Sequence, residues 1–309
     1  QSVVYRYVQD PKQITEQLTR GDLDFAVLPD VTSRDTTRSR AEEAGLETAH
    51  YNLSRWVFLG WNLKKKPFDD LRVRRALSYL IPRERICEIY FGGDARPATG
   101  PFDGCDPALS DPTVEVPMLS PRKARELLTE AGFSDSDGDG RLDRDGKPFR
   151  FDLRMTTESA PFLGGAVEQI RESFSQAGIE MRIDTGSSRE LLALDGGALA
   201  SGDFEAYALA WMVEPVLPDV RQLYGTGGTW NWQGYSNPQV DAALLAYETA
   251  TNDVVRVQSA QRIHGLLHAD QPMAWVLVPP VWIAWNKRIH GVEPHALGVR
   301  QWDFWIDSK

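Results

Sequence analysis

The feature that most constrains this chain is an alternation of strand-like and helix-like stretches that runs nearly its whole length. "PFRFDLRM" shows the strand signature most clearly, with Phe149, Phe151, Leu153 and Met155 at every second position. "SVVYRYV", "LDFAVLP", "LETAHYN", "RWVFLGWN", "EMRID" and "FEAYALAWM" are further short β-branched or apolar runs, and "AWVLVPPVWIAWNKRIHGV" reads as two strand pieces broken by Pro279-Pro280. Between them lie helix patterns. "PKQITEQLTRG" spaces Ile14 and Leu18 by four and stops at Gly21, and "TSRDTTRSRAEEAG" follows as a polar helix. Asp69 or Asp70 can cap a helix through Val73, Leu77 and Leu80; Pro82 opens another through Ile86 and Ile89, stopped by Gly92-Gly93. Ser120, Pro121 and Gly132 bracket a short one, and Val167, Ile170 and Phe174 share a face of the next. "SRELLALDGGALASGD" reads as helix and loop, and two more helices run through "SNPQVDAALLAYETA" and "DVVRVQSAQRIHGLLHAD". Residues 94–118 are dense in Pro, Gly and Asp and read as irregular. Strands alternating with helices predict an α/β fold.

Composition narrows the function classes. The 309 residues suffice for two compact domains or one large α/β domain. The net charge of −10 argues against a general nucleic-acid binder, because phosphate binding needs clustered Lys and Arg. No apolar run reaches the ~18–20 residues of a membrane span. "QSVVYRYVQD" lacks the basic-then-apolar pattern of a leader. Cys87 and Cys105 fit neither a CxxC nor a metal spacing, so they are either a disulfide in an exported chain or two buried thiols. Ten tryptophans serve either a large core or the wall of a binding cleft.

Catalytic signatures do not occur. There is no G-x-x-x-x-G-K-[ST] loop and no G-x-G-x-x-G after a strand; "GYSNP" ends in proline where a nucleophile elbow needs glycine. His264 and His268 sit four apart on one helix, but Gly265 stands where a zinc protease has glutamate, so the pair is expected at a solvated helix end. The chain is expected not to be an enzyme.

"FLGWNLKKKPFDDLRVRRALSYLIPRERI" resembles the extracellular solute-binding proteins that serve ABC importers for dipeptides, oligopeptides and nickel. The pattern comprises Leu59 to Asn62, Lys66-Pro67-Phe68-Asp69 and Val73-Arg74-Arg75-Ala76. It continues through "ATGPF", "ARELLTEAGF", "DSDGDGRLDRDGKPF", "AVEQIRESFSQAGIEMRI", "YSNPQVDAALLAYETA" and "IHGVEP", in order. One departure is Leu80-Ile81-Pro82, where the family usually has Ala-Ile-Asp; both Asp and Pro suit a helix start. The resemblance implies a periplasmic-binding-protein-like fold of type II. Residues 1–55 and 286–309 would form part of a first lobe and residues 56–285 a nearly complete second lobe. It also implies capture of a peptide-like or other small solute, delivery to a membrane permease, a monomer, and a periplasmic or cell-surface location with a lipid anchor in a longer form. The alternative is the ligand-sensing half of a regulator.

In peptide-binding members a Gly-Trp pair ends a strand at the cleft, and an acid three residues on receives the ligand ammonium. The matching segment is "LAWMVEPVLPD", so the resemblance places Trp211 and Glu214 at the ligand; Ala210, Glu214 and Pro215 depart from the usual residues. An enclosed ammonium needs a charged acceptor because it has lost its water. Trp230, Trp232 and Tyr235 follow in "GGTWNWQGYSN", as cleft wall or as cover for the core.

"DSDGDGRLDRDG" looks like the opening of a calcium loop. Asp135, Asp137, Asp139 and Asp143 would take positions 1, 3, 5 and 9, but position 12 is Gly146 instead of glutamate, and a strand follows where a helix should. The expectation is a turn without an ion and no cofactor. If calcium bound, those four aspartates would hold it, with Asp145 as a substitute ligand.

Overall fold

The structure is a computed structural model and describes residues 3–295 and 297–306. Two sheets organise it. Helix α1 (Pro11–Arg20) starts at Asp10, whose side chain accepts from the Lys12 N–H, and ends at Gly21. It leads into β1 (Phe25–Leu28), α2 (Val31–Arg40) and β2 (Leu46–Asn52). The chain then passes through Leu53 and Ser54 into β3 (Arg55–Trp61). Helices α3 (Leu71–Tyr79) and α4 (Arg83–Phe91) follow, then a short β4 (Arg96–Pro97), α5 (Pro121–Glu130) and the small hairpin of β5 (Asp143–Arg144) and β6 (Lys147–Pro148). Strand β7 (Arg150–Thr156), α6 (Ala160–Gln176), β8 (Glu180–Gly186), the short α7 (Ser188–Leu192) and α8 (Ala198–Ser201), and β9 (Ala206–Met212) come next. Then come α9 (Arg221–Tyr224), α10 (Pro238–Glu248), α11 (Asp253–Asp270), β10 (Met273–Val278) and β11 (Pro280–Asn286). Strands β12 (Ile289–His290) and β15 (Trp305–Ile306) pair with each other, as do β13 (Pro294–His295) and β14 (Gly298–Val299).

The larger sheet runs β4-β10-β3-β9-β7-β8 and the smaller β1-β11-β2. Strands β7, β8 and β9 are parallel, while β3 runs antiparallel to both β9 and β10. The expected alternation holds in β7: Phe149, Phe151, Leu153 and Met155 are all buried. One face of the large sheet packs under α3 to α6 through Val57, Leu59, Trp61, Phe151 and Ile170; the other packs under α10 and α11 through Trp56, Phe58, Leu209 and Trp275. Gly60 has no side chain because its cross-strand partner Tyr207 lies over it; a Cβ there would meet the phenol ring at 2.3 Å.

The runs that carry the resemblance hold the large body together. Phe68 stacks on Trp61 at 5.3 Å and meets Phe151 edge-on at 5.2 Å. Arg74 is buried and gives its N–H groups to the carbonyls of Phe68, Asp69, Asp270 and Gln271. Arg83 does the same with Ser78, Pro117 and Trp275, and its burial lowers its pKa to about 9. Cys87 and Cys105 are both free and buried, and burial pushes each thiol up to about 11.

Two expectations change. Residues 3–8 of "SVVYRYV" pair with no strand and lie mostly exposed, so the first unit runs α1-β1-α2-β2. The run's β-branched character is local, whereas a strand needs a neighbour to take its ladder bonds. The division of the chain also moves. Pro280–Asn286 is the central strand of the small sheet, so the return passage lies at Pro279 and not between 285 and 286. The outward passage at Leu53-Ser54 falls beside the expected 55/56. Apolarity runs unbroken through both halves of "AWVLVPPVWIAWN" because both are central strands, so only the prolines mark the change of sheet.

Small and large bodies are joined by Arg34 of α2. It pairs with Asp94, and also reaches Asp35 and the carbonyls of Phe91 and Gly92. Asp94 in turn accepts the Trp282 indole N–H at 2.7 Å.

Candidate functional site

All passages between the two sheets lie at one edge of the large sheet. Strand directions place the start of β3 there, together with the ends of β7, β8, β9 and β10. Loops 157–159, 187 and 213–220 leave from this edge. Open α/β sheets bind ligands outside the carboxyl ends of their strands, where the strand order turns back. Strand β9 is such a place: the chain steps outward from β7 to β8 and returns to insert β9 between β3 and β7.

Trp211 stands near the end of β9 and is half-buried opposite Trp56. It meets Trp230 at 5.3 Å and Trp232 at 6.1 Å, the second edge-on. Trp232 in turn meets the fully buried ring of Tyr207 at 6.0 Å. The aromatic series thus runs from the core at Tyr207 out to Trp230, which is 37% exposed. Asn231 fixes the loop that carries two of these rings. Its side-chain amide donates to the Gly225 and Tyr235 carbonyls and accepts the Tyr235 N–H. The Trp230 N–H bonds the Gln222 carbonyl at 2.9 Å. Beyond Trp211 the surface stays apolar: Met212, Val216 and Leu217 are all exposed. Glu214 lies among them, exposed, and makes no hydrogen bond or ion pair among the described residues.

Tyr235 does not join this group. It is 5% exposed, packs with the α10–α11 core, and donates its hydroxyl to Asp270 at 2.6 Å; Asn237 shares that carboxylate at 2.8 Å. Burial, then the Asp270 carboxylate, raises the phenol pKa well beyond its usual value. Of the two readings of Tyr235, cleft wall or cover for the core, its contacts fit the second.

The two helical histidines are also displaced from expectation. His264 is fully buried rather than solvated. Its Nε2 lies 3.0 Å from the Thr99 hydroxyl, and a Cβ on Gly100 would fall 2.5 Å from the ring. His268 Nδ1 lies 3.1 Å from the Thr99 carbonyl. Burial lowers both imidazole pKa values, which keeps them neutral near pH 7. They fasten α11 to the irregular segment that begins near Thr99.

The aspartate loop lies elsewhere, between α5 and β7. Asp135, Asp137 and Asp139 bring ligand oxygens within 4.8 Å of one another. Their carboxylates accept backbone N–H groups of the same loop: Gly138 and Gly140 bond Asp135, Asp139 bonds Asp137, and Arg141 bonds Asp139. Asp143 stands apart from the three, receiving the Ser136 N–H and hydroxyl, and Asp145 takes a left-handed backbone at φ 55°. These bonds build the turn from the loop's own groups.

Sequence reasoning passed over Arg55. It opens β3 at the same edge, opposite Met212. Its guanidinium lies 5.1 Å over the Phe162 ring. A signal was available: a charged residue directly before a buried aromatic strand, at the passage between sheets.

A family model described as bacterial extracellular solute-binding proteins, family 5 Middle, matches residues 1–233. The oligopeptide-binding protein AppA of Bacillus subtilis is 25% identical over 302 residues, covering 95% of this chain and 53% of that protein. Its solved structure with a nonapeptide superposes with a TM-score of 0.74 at 24% identity, over 97% of this chain and 59% of that one. The glutathione-binding protein GsiB of Escherichia coli is 32% identical over 300 residues, covering 94% of this chain and 54% of that protein. NikZ of Campylobacter jejuni, solved with Ni(L-His), gives a TM-score of 0.75 at 20% identity over 94% of this chain and 57% of that one. The chain spans about half the length of the curated relatives it matches.

Proposed function

Because the chain belongs to family 5 of the bacterial extracellular solute-binding proteins, we propose that it supplies one lobe and the connecting strands of an importer's solute-binding component. In this reading residues 55–279 form the second lobe, and the small sheet belongs to the first. The solute is peptide-like and settles against the aromatic series at the carboxyl edge of the large sheet. The protein works outside the cytoplasm, hands its solute to a membrane permease, and catalyses no reaction. Its similarity to proteins named as oligopeptide- and glutathione-binding supports the solute class.

One observation carries the reading. Trp211 packs against Trp230 and Trp232, Trp230 stays 37% exposed, and the exposed, unpaired Glu214 follows three residues after Trp211. Surface aromatics without a packing partner on one side offer apolar area at little entropic cost. Once a second surface encloses them, the Glu214 carboxylate gives a ligand ammonium the charged acceptor it needs. A charge-assisted hydrogen bond of this kind is worth ~1.5–3 kcal/mol, or roughly ten- to a hundredfold in affinity. Glu214→Gln in the intact protein should weaken tri-alanine binding by that factor in calorimetry, with an unchanged melting temperature. Equal affinity for both proteins would remove Glu214 from the site.

A further inference from the structure

Arg55 is half-buried and differs from the buried arginines in what its guanidinium touches. Arg74 and Arg83 spend their donors on backbone carbonyls, and Arg34 faces Asp94 and Asp35. Arg55 has none of this. Among the described residues no acceptor bonds its side chain and no carboxylate pairs with it; its Nε is sealed from solvent without a partner. The Phe162 ring supports the guanidinium plane from one side. The neighbouring titratable group is Tyr51, whose own burial raises its pKa and keeps it a neutral phenol. Burial lowers the pKa of Arg55, with no acid to offset it.

A guanidinium held this way is costly unless something supplies acceptors. The Nε is sealed, so an arriving acceptor meets the two Nη groups, which are not among the sealed atoms. Carboxylate geometry matches: two oxygens take two parallel N–H bonds. The location fits a ligand group, because Arg55 lies at the edge where the two sheets meet, on the strand next to Met212 and two positions along from the level of Glu214.

We propose that Arg55 is a ligand-binding residue that receives a carboxylate of the solute, with Phe162 as its support. Resting on the reading of the chain as a peptide-like-solute binder, this gives the solute a defined polarity: its ammonium goes to Glu214 and a carboxylate to Arg55. That carboxylate comes either from the chain terminus of a peptide or from an acidic side chain.

The test uses the intact protein and its Arg55→Gln and Arg55→Lys variants. Calorimetry compares tri-alanine, tri-alanine amide and alanyl-glutamyl-alanine amide. The wild type should bind tri-alanine about tenfold more tightly than its amide, and Arg55→Gln should bring the two within about twofold. Recovery of affinity with the glutamyl amide assigns the carboxylate to a side chain; no recovery assigns it to the terminus. Equal binding of tri-alanine, its amide and the glutamyl amide by the wild type overturns the proposal. If no probe binds the wild type, the peptide reading fails, and a second arm still decides on Arg55. Acetate at tens of millimolar should move the Arg55 Nε–H nuclear magnetic resonance signal, identified by its loss in Arg55→Lys, while chloride at equal ionic strength leaves it in place. A signal unmoved by acetate overturns the proposal whatever the peptide result.

Discussion

The two ends of the large sheet use the same residue types for opposite purposes. At the end far from the small sheet, Trp61, Phe68 and Phe151 pack ring against ring, and Arg74 gives its donors to four carbonyls. At the near end, Trp211 is half-buried and Trp230 exposed, and Arg55 lies on Phe162 with no hydrogen-bond acceptor among the described residues. Residue type alone does not separate structural from recognition roles; the state of its partners does. An aromatic ring closed on both faces contributes to stability, whereas one open on a single face is kept for something that arrives later.

Substitutions can break this comparison. The largest effect is expected at the closed end. Phe68→Ala removes a fully buried ring and should cost ~3–5 kcal/mol in urea unfolding. Arg74→Met leaves buried carbonyls without donors, at roughly 1–3 kcal/mol for each acceptor not rescued by water. Arg55→Met strands no acceptor and keeps an apolar stem on Phe162, so its unfolding free energy should stay within about 0.5 kcal/mol of wild type. Equal losses at Arg74 and Arg55 would erase the contrast. At the open end, Trp230→Ala should change the unfolding midpoint least and instead weaken tri-alanine binding, because its ring is supported by Trp211 on one side only.

Much of the frame was legible in the sequence. Helix ends followed from local chemistry: Asp70 caps α3, Ser120 and Pro121 open α5, and Gly92 ends α4 in a left-handed turn at φ 55°. Strand β7 announced itself by its period. Sheet order did not, because the insertion of β9 between β3 and β7 depends on pairing across 50 residues or more. Within the candidate site, Trp211, Trp230 and Trp232 lie together, and Glu214 follows Trp211 in the loop that leaves the same edge. Tyr235 and His264 went astray for one reason. Both carry a polar atom and an apolar ring, and the choice between surface and core rests on a distant hydrogen-bond partner, Asp270 for one and Thr99 for the other. Arg55 escaped notice because the lack of a partner cannot be read from one residue and its neighbours in sequence.

The passage between the sheets has a mechanical consequence. Three residues, Leu53, Ser54 and Pro279, separate the strand pair of one sheet from that of the other. Pro279 and Pro280 hold φ near a single value, so the return strand can bend almost only about ψ. The Asn52 side-chain amide ties the Pro279 carbonyl at 3.2 Å, and the Val213 N–H ties that of Ser54 at 2.9 Å. A swing of one body against the other would draw on ψ at the prolines and on the torsions of Leu53 and Ser54. The molecule's two connections thus differ in kind, with two prolines on one rail and the hydrogen-bonded Leu53-Ser54 pair on the other.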